Sequence, residues 1–386
     1  MSKRAIRHAG WLLALALLAQ GLCAESATEQ ETAEPAIVEE EVKKPAITEG
    51  PEKAWGIAPF PVIAYSPETS AMFGAVAFLW APALSDSRDP RLNTLACIGV
   101  YTLRNQASIA LSGEWYSREG KLKLSAGGEY SRFPDSYFGI GPETSASMEE
   151  QYTPVTLSFE GSVGWELLPR LYLGPGFHFS YHDIHDLEPG GMLDQEGVPG
   201  GTGASVFGVG ALLTLDTRDS RMYPLRGSLL EAKTGVFLDS SGDDQWFTQL
   251  EMDFRKYFPL WRRQVLAFQY RFVWSGGEVP FQVMPELGGG ELLRGFYEGR
   301  FRDRVAAAAQ MEYRFPLFWR LGGVLFGGVG LVSPSLEAIS LGNSRPAGGA
   351  GLRIALPARE QRINFRLDVG FSEDGAAVYF AAMEAF

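Results

Sequence analysis

Cysteine is scarce, with Cys23 and Cys97 the only two among 386 residues. Cys23 falls in a segment that reads as a removable leader, so the mature chain has no pair from which to build a disulfide framework. Long apolar runs are also lacking. Hydrophobic residues make up 46% of the chain, and no run reaches the roughly 20 residues that a spanning helix needs. Basic residues are outnumbered: 34 Lys and Arg stand against 46 Asp and Glu, a formal charge of -12. A nucleic-acid partner is therefore not expected, because binding one needs a clustered basic face. There is no Gly-x-Ser-x-Gly elbow, no phosphate loop and no paired-cysteine motif, so neither an enzyme nor a bound cofactor is expected.

Glycine and aromatic residues are plentiful, at 45 Gly and 12% Phe, Trp and Tyr. Together with moderate hydropathy, they suit membrane strands that are apolar on one face only.

Lys3, Arg4 and Arg7 precede a short apolar stretch, Trp11 to Ala19, and Leu22-Cys23-Ala24 follows. This order reads as a signal peptide, residues 1–24, cut after Ala24. Leu22 makes Cys23 a poor lipoprotein acceptor. Residues 25–54 are rich in Glu, Ala, Thr and Pro, with no aromatic before Trp55. Such a segment cannot bury enough apolar surface to fold, so it reads as a disordered acidic tether.

From residue 55 to 386 the texture is uniform. Period-two runs recur, each closed by a turn cluster. Sixteen candidate strands fall near 58–66, 70–80, 93–103, 107–117, 120–133, 152–166, 170–183, 204–216, 227–238, 245–257, 263–275, 304–316, 320–332, 347–357, 361–371 and 376–386. Leu122, Leu124 and Ala126 alternate with Lys121, Lys123 and Ser125. Phe365, Leu367, Val369 and Phe371 alternate with Asn364, Arg366 and Asp368. In lipid the apolar set faces out and the polar set lines a lumen. The expected fold is therefore all-β, a sixteen-strand antiparallel transmembrane barrel of the outer membrane.

Three further features favour a barrel over a soluble sandwich. Long connections near 134–151, 184–203, 276–303 and 333–346 alternate with short ones near 117–120, 167–170, 258–263 and 316–320, as long outer loops and short periplasmic turns would. Aromatic clusters at two short turns, Tyr257-Phe258-Pro259-Leu260-Trp261 and Phe315-Pro316-Leu317-Phe318-Trp319, suit the membrane–water interface. The last expected strand closes on Phe386, which reads as an assembly signal and a lipid contact.

Two segments go beyond this general texture. Leu287-Gly288-Gly289-Gly290-Glu291-Leu292-Leu293-Arg294-Gly295-Phe296 lies in the longest expected loop. It resembles the Leu-Gly-Gly…Val-Arg-Gly-Phe/Tyr signature of the BamA/TamA bacterial surface-antigen superfamily, with Leu293 where Val is usual. Asp216-Thr217-Arg218-Asp219, followed by Pro224 and Gly227, looks like that family's turn after the eighth strand. The resemblance covers about 55–386. It implies that the loop folds into the lumen and that Arg294 pairs with acids on neighbouring strands, bidentate where geometry allows. Glu312 matches one acid. The other would come from a Phe-x-Asp-x-Gly segment, which here reads Phe326-Gly327-Gly328-Val329-Gly330, so Asp368 is the substitute expected. Family members carry POTRA modules before the barrel, whereas residues 25–54 are too short and polar for one.

The resemblance implies a POTRA-less barrel that inserts or translocates macromolecules at the outer membrane through the seam between its first and last strands. Pro59, Pro61 and Pro67 are expected to weaken pairing there. The alternatives are a passive pore or structural barrel plugged by its loop, and a membrane anchor that recruits a periplasmic partner through the tether. The partners implied are outer-membrane lipids, the barrel assembly machinery during biogenesis, and a client or periplasmic protein. His178, His182, His185, Asp183 and Asp186 cluster near Tyr181 but lack metal-site spacing, and Asp239–Asp244 lacks the closing Glu of a calcium loop. No metal is expected.

Overall fold

The computed structural model describes residues 56–82, 92–117, 119–195, 197–220, 223–242, 244–355 and 364–386. The expected leader, 1–24, and tether, 25–54, lie outside them. The strands are β1 (Gly56–Ser66), β2 (Ser70–Pro82), β3 (Leu92–Thr102), β4 (Ala107–Tyr116), β5 (Leu122–Arg132), β6 (Asp135–Tyr137), β7 (Glu150–Leu168), β8 (Leu171–His185), β9 (Gly203–Asp216) and β10 (Gly227–Asp239). They continue with β11 (Gln245–Pro259), β12 (Val265–Gly277), β13 (Glu286–Leu287), β14 (Phe301–Arg302), β15 (Val305–Pro316), β16 (Leu321–Ser333), β17 (Arg345–Ala355), β18 (Asn364–Ser372) and β19 (Gly375–Ala382).

All but β6, β13 and β14 form a closed 16-strand antiparallel barrel in which sequence neighbours pair. Each expected segment corresponds to one of these strands. The long connections, 133–149, 186–202, 278–304 and 334–344, share one end of the barrel, the loop end. Turns such as 169–170 and 317–320 occupy the other, the turn end. No helix among the described residues is long and apolar enough to cross a membrane. This chain crosses with strands.

Side chains sort by period two. Ile63, Tyr65, Phe73, Leu124, Phe159, Phe177, Met311, Leu325, Leu367 and Phe371 are exposed on the outer wall, where lipid is the matching solvent. Asn364, Arg366, Asp368, Gln310, Glu312 and Arg314 are buried on the inner one. At the turn end Phe258, Trp261, Leu317, Phe318 and Trp319 project outward as part of a girdle. Tyr257, expected with them, instead points inward and is buried.

The end of the chain departs from expectation. The last strand stops at Ala382 rather than running to Phe386. Met383 adopts φ 69°, a left-handed conformation that turns the chain off the ladder. Ala385 and Phe386 then bury against Tyr257, Val265 and Ala267 inside the barrel. Phe386 is therefore a lumenal side chain and not a lipid contact. Its burial among inward-facing residues and the polar anchors described below are the physical reasons.

Candidate functional site

Between β12 and β15 the chain enters the lumen. The short β13–β14 hairpin pairs Glu286 with Arg302 and Leu287 with Phe301. Gly288 (φ +107°) and Gly289 (φ +100°) then turn the backbone sharply, as only glycine does without strain. Leu287 before them and Leu292, Leu293, Phe296 and Phe301 after them pack on Ala306, Ala308 and Val332 of the wall. This apolar contact sets the depth of the loop.

At its tip, Arg294 is fully buried between two acids. Nη2 donates to Glu312 and Nη1 donates to Asp368 Oδ2 at 2.6 Å. The guanidinium also lies 3.6 Å from the centre of the Phe326 ring, a favourable cation–π stack. Gly295 N–H donates to Tyr379 Oη at 3.1 Å, and Ser372 Oγ donates to the Gly295 carbonyl at 2.8 Å. Gly295 has φ +124°, and a Cβ on it would lie 2.8 Å from the Phe371 carbonyl carbon. A Cβ on Gly370 would lie 2.5 Å from the carbonyl group of Arg294. Two glycines thus let the loop backbone touch β18.

The structure brings Arg294, Gly295, Phe296, Glu312 and Asp368 together. Gly328, where the resemblance implied an acid, pairs with Gln310 on β15. A Cβ at 328 would lie 2.7 Å from the Gln310 Cβ. Gln310 Nε2 donates instead to the Glu291 carbonyl and to Gln269 Oε1, both at 2.7 Å.

The ion pairs continue toward the turn end. Arg314 Nη2 reaches Glu312 Oε2 at 2.7 Å, and Arg353 Nη1 reaches Asp368 Oδ1 at 2.5 Å. Both arginines converge on Glu384 of the tail, Arg353 Nε at 2.6 Å and Arg314 Nε at 3.9 Å. Asn364 Nδ2 donates to the other Glu384 oxygen at 2.6 Å. Arg314 Nη2 also donates to the Phe386 carbonyl at 2.7 Å. Charges this deep are tolerable only when paired and hydrogen-bonded.

The seam between β1 and β19 is held by a single register pair, Tyr65 with Phe380. In contrast, β1 pairs with β2 along its whole length, prolines included. The direction of the missing donors explains this. Leu103 N–H bonds to the Ala71 carbonyl, so odd residues of β2 bond toward β3 and even ones toward β1. In the β1–β2 register even residues meet even residues. Odd residues of β1, Pro59 and Pro61 among them, therefore direct their backbone groups at the seam.

The Omp85 superfamily domain model matches residues 103–377, well over half of the chain. The chain belongs to the Omp85 superfamily. A search of curated proteins by sequence returns no match. Among solved structures, BamA from Haemophilus ducreyi lacking POTRA domains 1-3 is similar with a TM-score of 0.57 and 14% identity, covering 86% of this chain and 70% of that one. CdiB from Acinetobacter baumannii gives 0.52 at 10% identity and CdiB from Escherichia coli 0.52 at 12%, each covering 86% of this chain. This chain spans 60% and 63% of those two CdiB chains. At such identities the likeness concerns the fold.

In this Omp85 barrel the 216–227 motif is a braced turn. Arg218 pairs with Asp216 at 2.8 Å. Asp219 Oδ1 accepts the backbone N–H groups of Leu225 and Arg226 at 3.0 and 3.2 Å. Gly227 has φ +102°, and a Cβ there would lie 2.3 Å from the Thr217 carbonyl oxygen. Pro224 is buried beside Tyr223.

The loop fills one side of the Omp85 barrel's lumen. Across from it, a cavity of about 210 Å³ has a mainly apolar lining to which Glu114, Lys123, Glu129, Glu160 and Lys233 also contribute. At the loop end of the same wall, Phe237, Phe247, Val279, Val283 and Met284 pack together. His178 and His182 are buried in the wall, whereas His185 pairs with Asp183 at 3.1 Å in an exposed position. Among the described residues no group of three or more His, Cys, Asp or Glu is placed to hold a metal.

Sequence reasoning did not assign Gln310, Arg314, Arg353, Arg366, Tyr379 or Glu384 to this site. Gln310 and Arg314 share the inward parity of Glu312, and Arg366 that of Asp368, so alternation carried a signal for them. Glu384 had none, because its place depends on the inward turn at Met383.

Proposed function

We propose that this Omp85 barrel inserts or translocates protein clients at the outer membrane, and that it does so through the seam between β1 and β19. The observation that carries the reading is the seam itself, one register pair wide in a barrel whose other strands pair along most of their length. An edge left unpaired in lipid is costly unless a partner strand satisfies it, and a client segment arriving in extended form supplies such a strand. The likeness to BamA and CdiB supports the same reading. The Arg294 lock keeps the loop seated in the lumen during this exchange and involves no catalysed reaction. Export by the leader 1–24, assembly by the barrel machinery with Phe386 as a signal, and recruitment of a periplasmic partner by 25–54 complete the proposal.

A photo-reactive residue at Ile63, outward on β1, tests it in cells. The expected outcome is crosslinks to newly exported outer-membrane proteins, but none from the same probe at Leu250 on the outer wall of β11. Equal capture at both positions, or none at Ile63, overturns the reading. Deleting the gene should deplete a subset of outer-membrane proteins. Pull-down with and without residues 25–54 tests the tether.

A further inference from the structure

The chain's last four residues could have continued β19 along β1. The register at Tyr65 and Phe380 fixes how, since paired numbers sum to 445. Glu384 would lie opposite Pro61 and Phe386 opposite Pro59. The β18–β19 hairpin closes with Ser372 opposite Gly375, and Met383 N–H bonds to the Asn364 carbonyl. Odd residues of β19 therefore bond to β18, and even residues face β1. In the extended register the Glu384 and Phe386 carbonyls would point at two proline nitrogens that carry no hydrogen.

Side-chain parity opposes extension too. Ala377, Tyr379 and Ala381 are buried inward, while Val378 is exposed on the outer wall. An extended Glu384 would share the outward face of Val378 and Phe380, turning a carboxylate toward lipid. The left-handed Met383 reverses this. Glu384 then meets Arg353 and Asn364, the Phe386 carbonyl meets Arg314, and the Phe386 ring lies 5.5 Å from the Arg314 guanidinium.

We propose that Met383–Phe386 is a built-in latch, denied pairing with β1 by Pro59 and Pro61 and seated in the lumen by Arg314, Arg353 and Asn364, which holds the turn-side half of the seam unzipped. Glu384 is its positioning residue. The latch is wired to the loop, since Arg314 also holds Glu312 and Arg353 also holds Asp368, the two acids that clasp Arg294. Loop displacement frees those acids to compete for the arginines that seat the tail. The functional meaning of the latch rests on the seam reading above, but its existence does not.

Two cysteine pairs in the full-length protein, assembled in outer membranes, separate the states. Ala267→Cys with Ala385→Cys reports the seated tail, because both residues belong to one apolar cluster. Val62→Cys with Met383→Cys reports the zipped seam, being opposite in the extended register. Mass spectrometry of the linked peptides distinguishes these bonds from any to Cys23 or Cys97. The native sequence should form the first bond and not the second. Adding Pro59→Val, Pro61→Val and Glu384→Gln should raise the second relative to the first by at least about tenfold, the ratio one hydrogen bond's difference makes. Glu384→Gln alone, with the prolines kept, should lower the first bond without creating the second.

A second bond in the native sequence overturns the latch. So does an unchanged first bond in the triple variant when heat-modifiable migration shows a folded barrel. Should the triple variant not fold, an unchanged first bond in Glu384→Gln alone overturns it. None of these readouts involves a client, so missing crosslinks at Ile63 beside an intact latch would overturn only the proposed function.

Discussion

Arg294 and Asp368 are 74 positions apart in the chain, yet their side chains meet at 2.6 Å with no exposure to solvent. The contact ties the tip of a lumenal loop to the barrel's fifteenth spanning strand. Because Glu312 binds the same guanidinium, one arginine bridges two well-separated parts of the wall.

Arg294→Ala should loosen the loop and raise single-channel conductance in planar bilayers. Glu312→Ala should resemble it. Removing one partner of a buried pair costs about 3–5 kcal/mol when the other charge is stranded. Here Asp368 and the neighbouring arginines share the load, so a value near the lower end is expected. The double variant should be little worse than either single one, since both remove the same contact. Fully additive increases would show two independent roles.

Gly370→Ala should disturb the loop without touching a charge. Its Cβ would lie 2.5 Å from the Arg294 carbonyl, which is backbone and cannot swing aside. Protease cutting within 278–304 should become faster than in the native protein, while Gly99→Ala on β3, whose Cβ meets nothing within 4 Å, should leave that rate unchanged. Equal rates for both would mean that the loop does not rest on β18.

Glu68, in the turn between β1 and β2, should make the contact between that turn and the loop sensitive to pH. Its carboxylate accepts the Glu298 N–H at 3.0 Å. Burial, with the Glu298 charge adding to it, pushes its pKa up to about 7 from 4.5. A raised acid favours the folded state most below the unfolded value, so stability should fall as pH rises from about 4.5 through about 7, by up to about 3 kcal/mol. The heat-modification midpoint should therefore be higher at pH 5 than at pH 8. In Glu68→Gln that difference should shrink. An unchanged difference would assign it to another group.

Deleting Phe386 should lower the yield of folded barrel more than Phe371→Ala. Phe386 packs with Tyr257, Val265 and Ala267 and gives its carbonyl to Arg314, whereas Phe371 faces outward with 58% exposure. Quantitative immunoblots of heat-modifiable protein would check this, and equal yields would remove any special role for the terminal residue.

The sequence by itself determined the number of strands, their inner and outer faces, the end that carries the long loops and the loop that holds Arg294. These are local properties. A period-two pattern assigns faces wherever lipid lies on one side, and glycine pairs such as Gly288-Gly289 mark the turn into the lumen. The family resemblance named Glu312 and Asp368 for Arg294, but only the tertiary structure decided that both meet it. Asp368 lies three spanning strands beyond Glu312, and whether both reach one guanidinium depends on strand stagger around the closed barrel, which no short segment encodes. The same holds for Gln310 in the space beside Gly328, and for Gly370 beneath Gly295. The tail shows the division most sharply. Its residues read as more strand, with Phe386 as the last outward aromatic. What turned them inward was a ladder register that set Pro61 and Pro59 against Glu384 and Phe386, together with arginines on β15 and β17 that closure brought within reach.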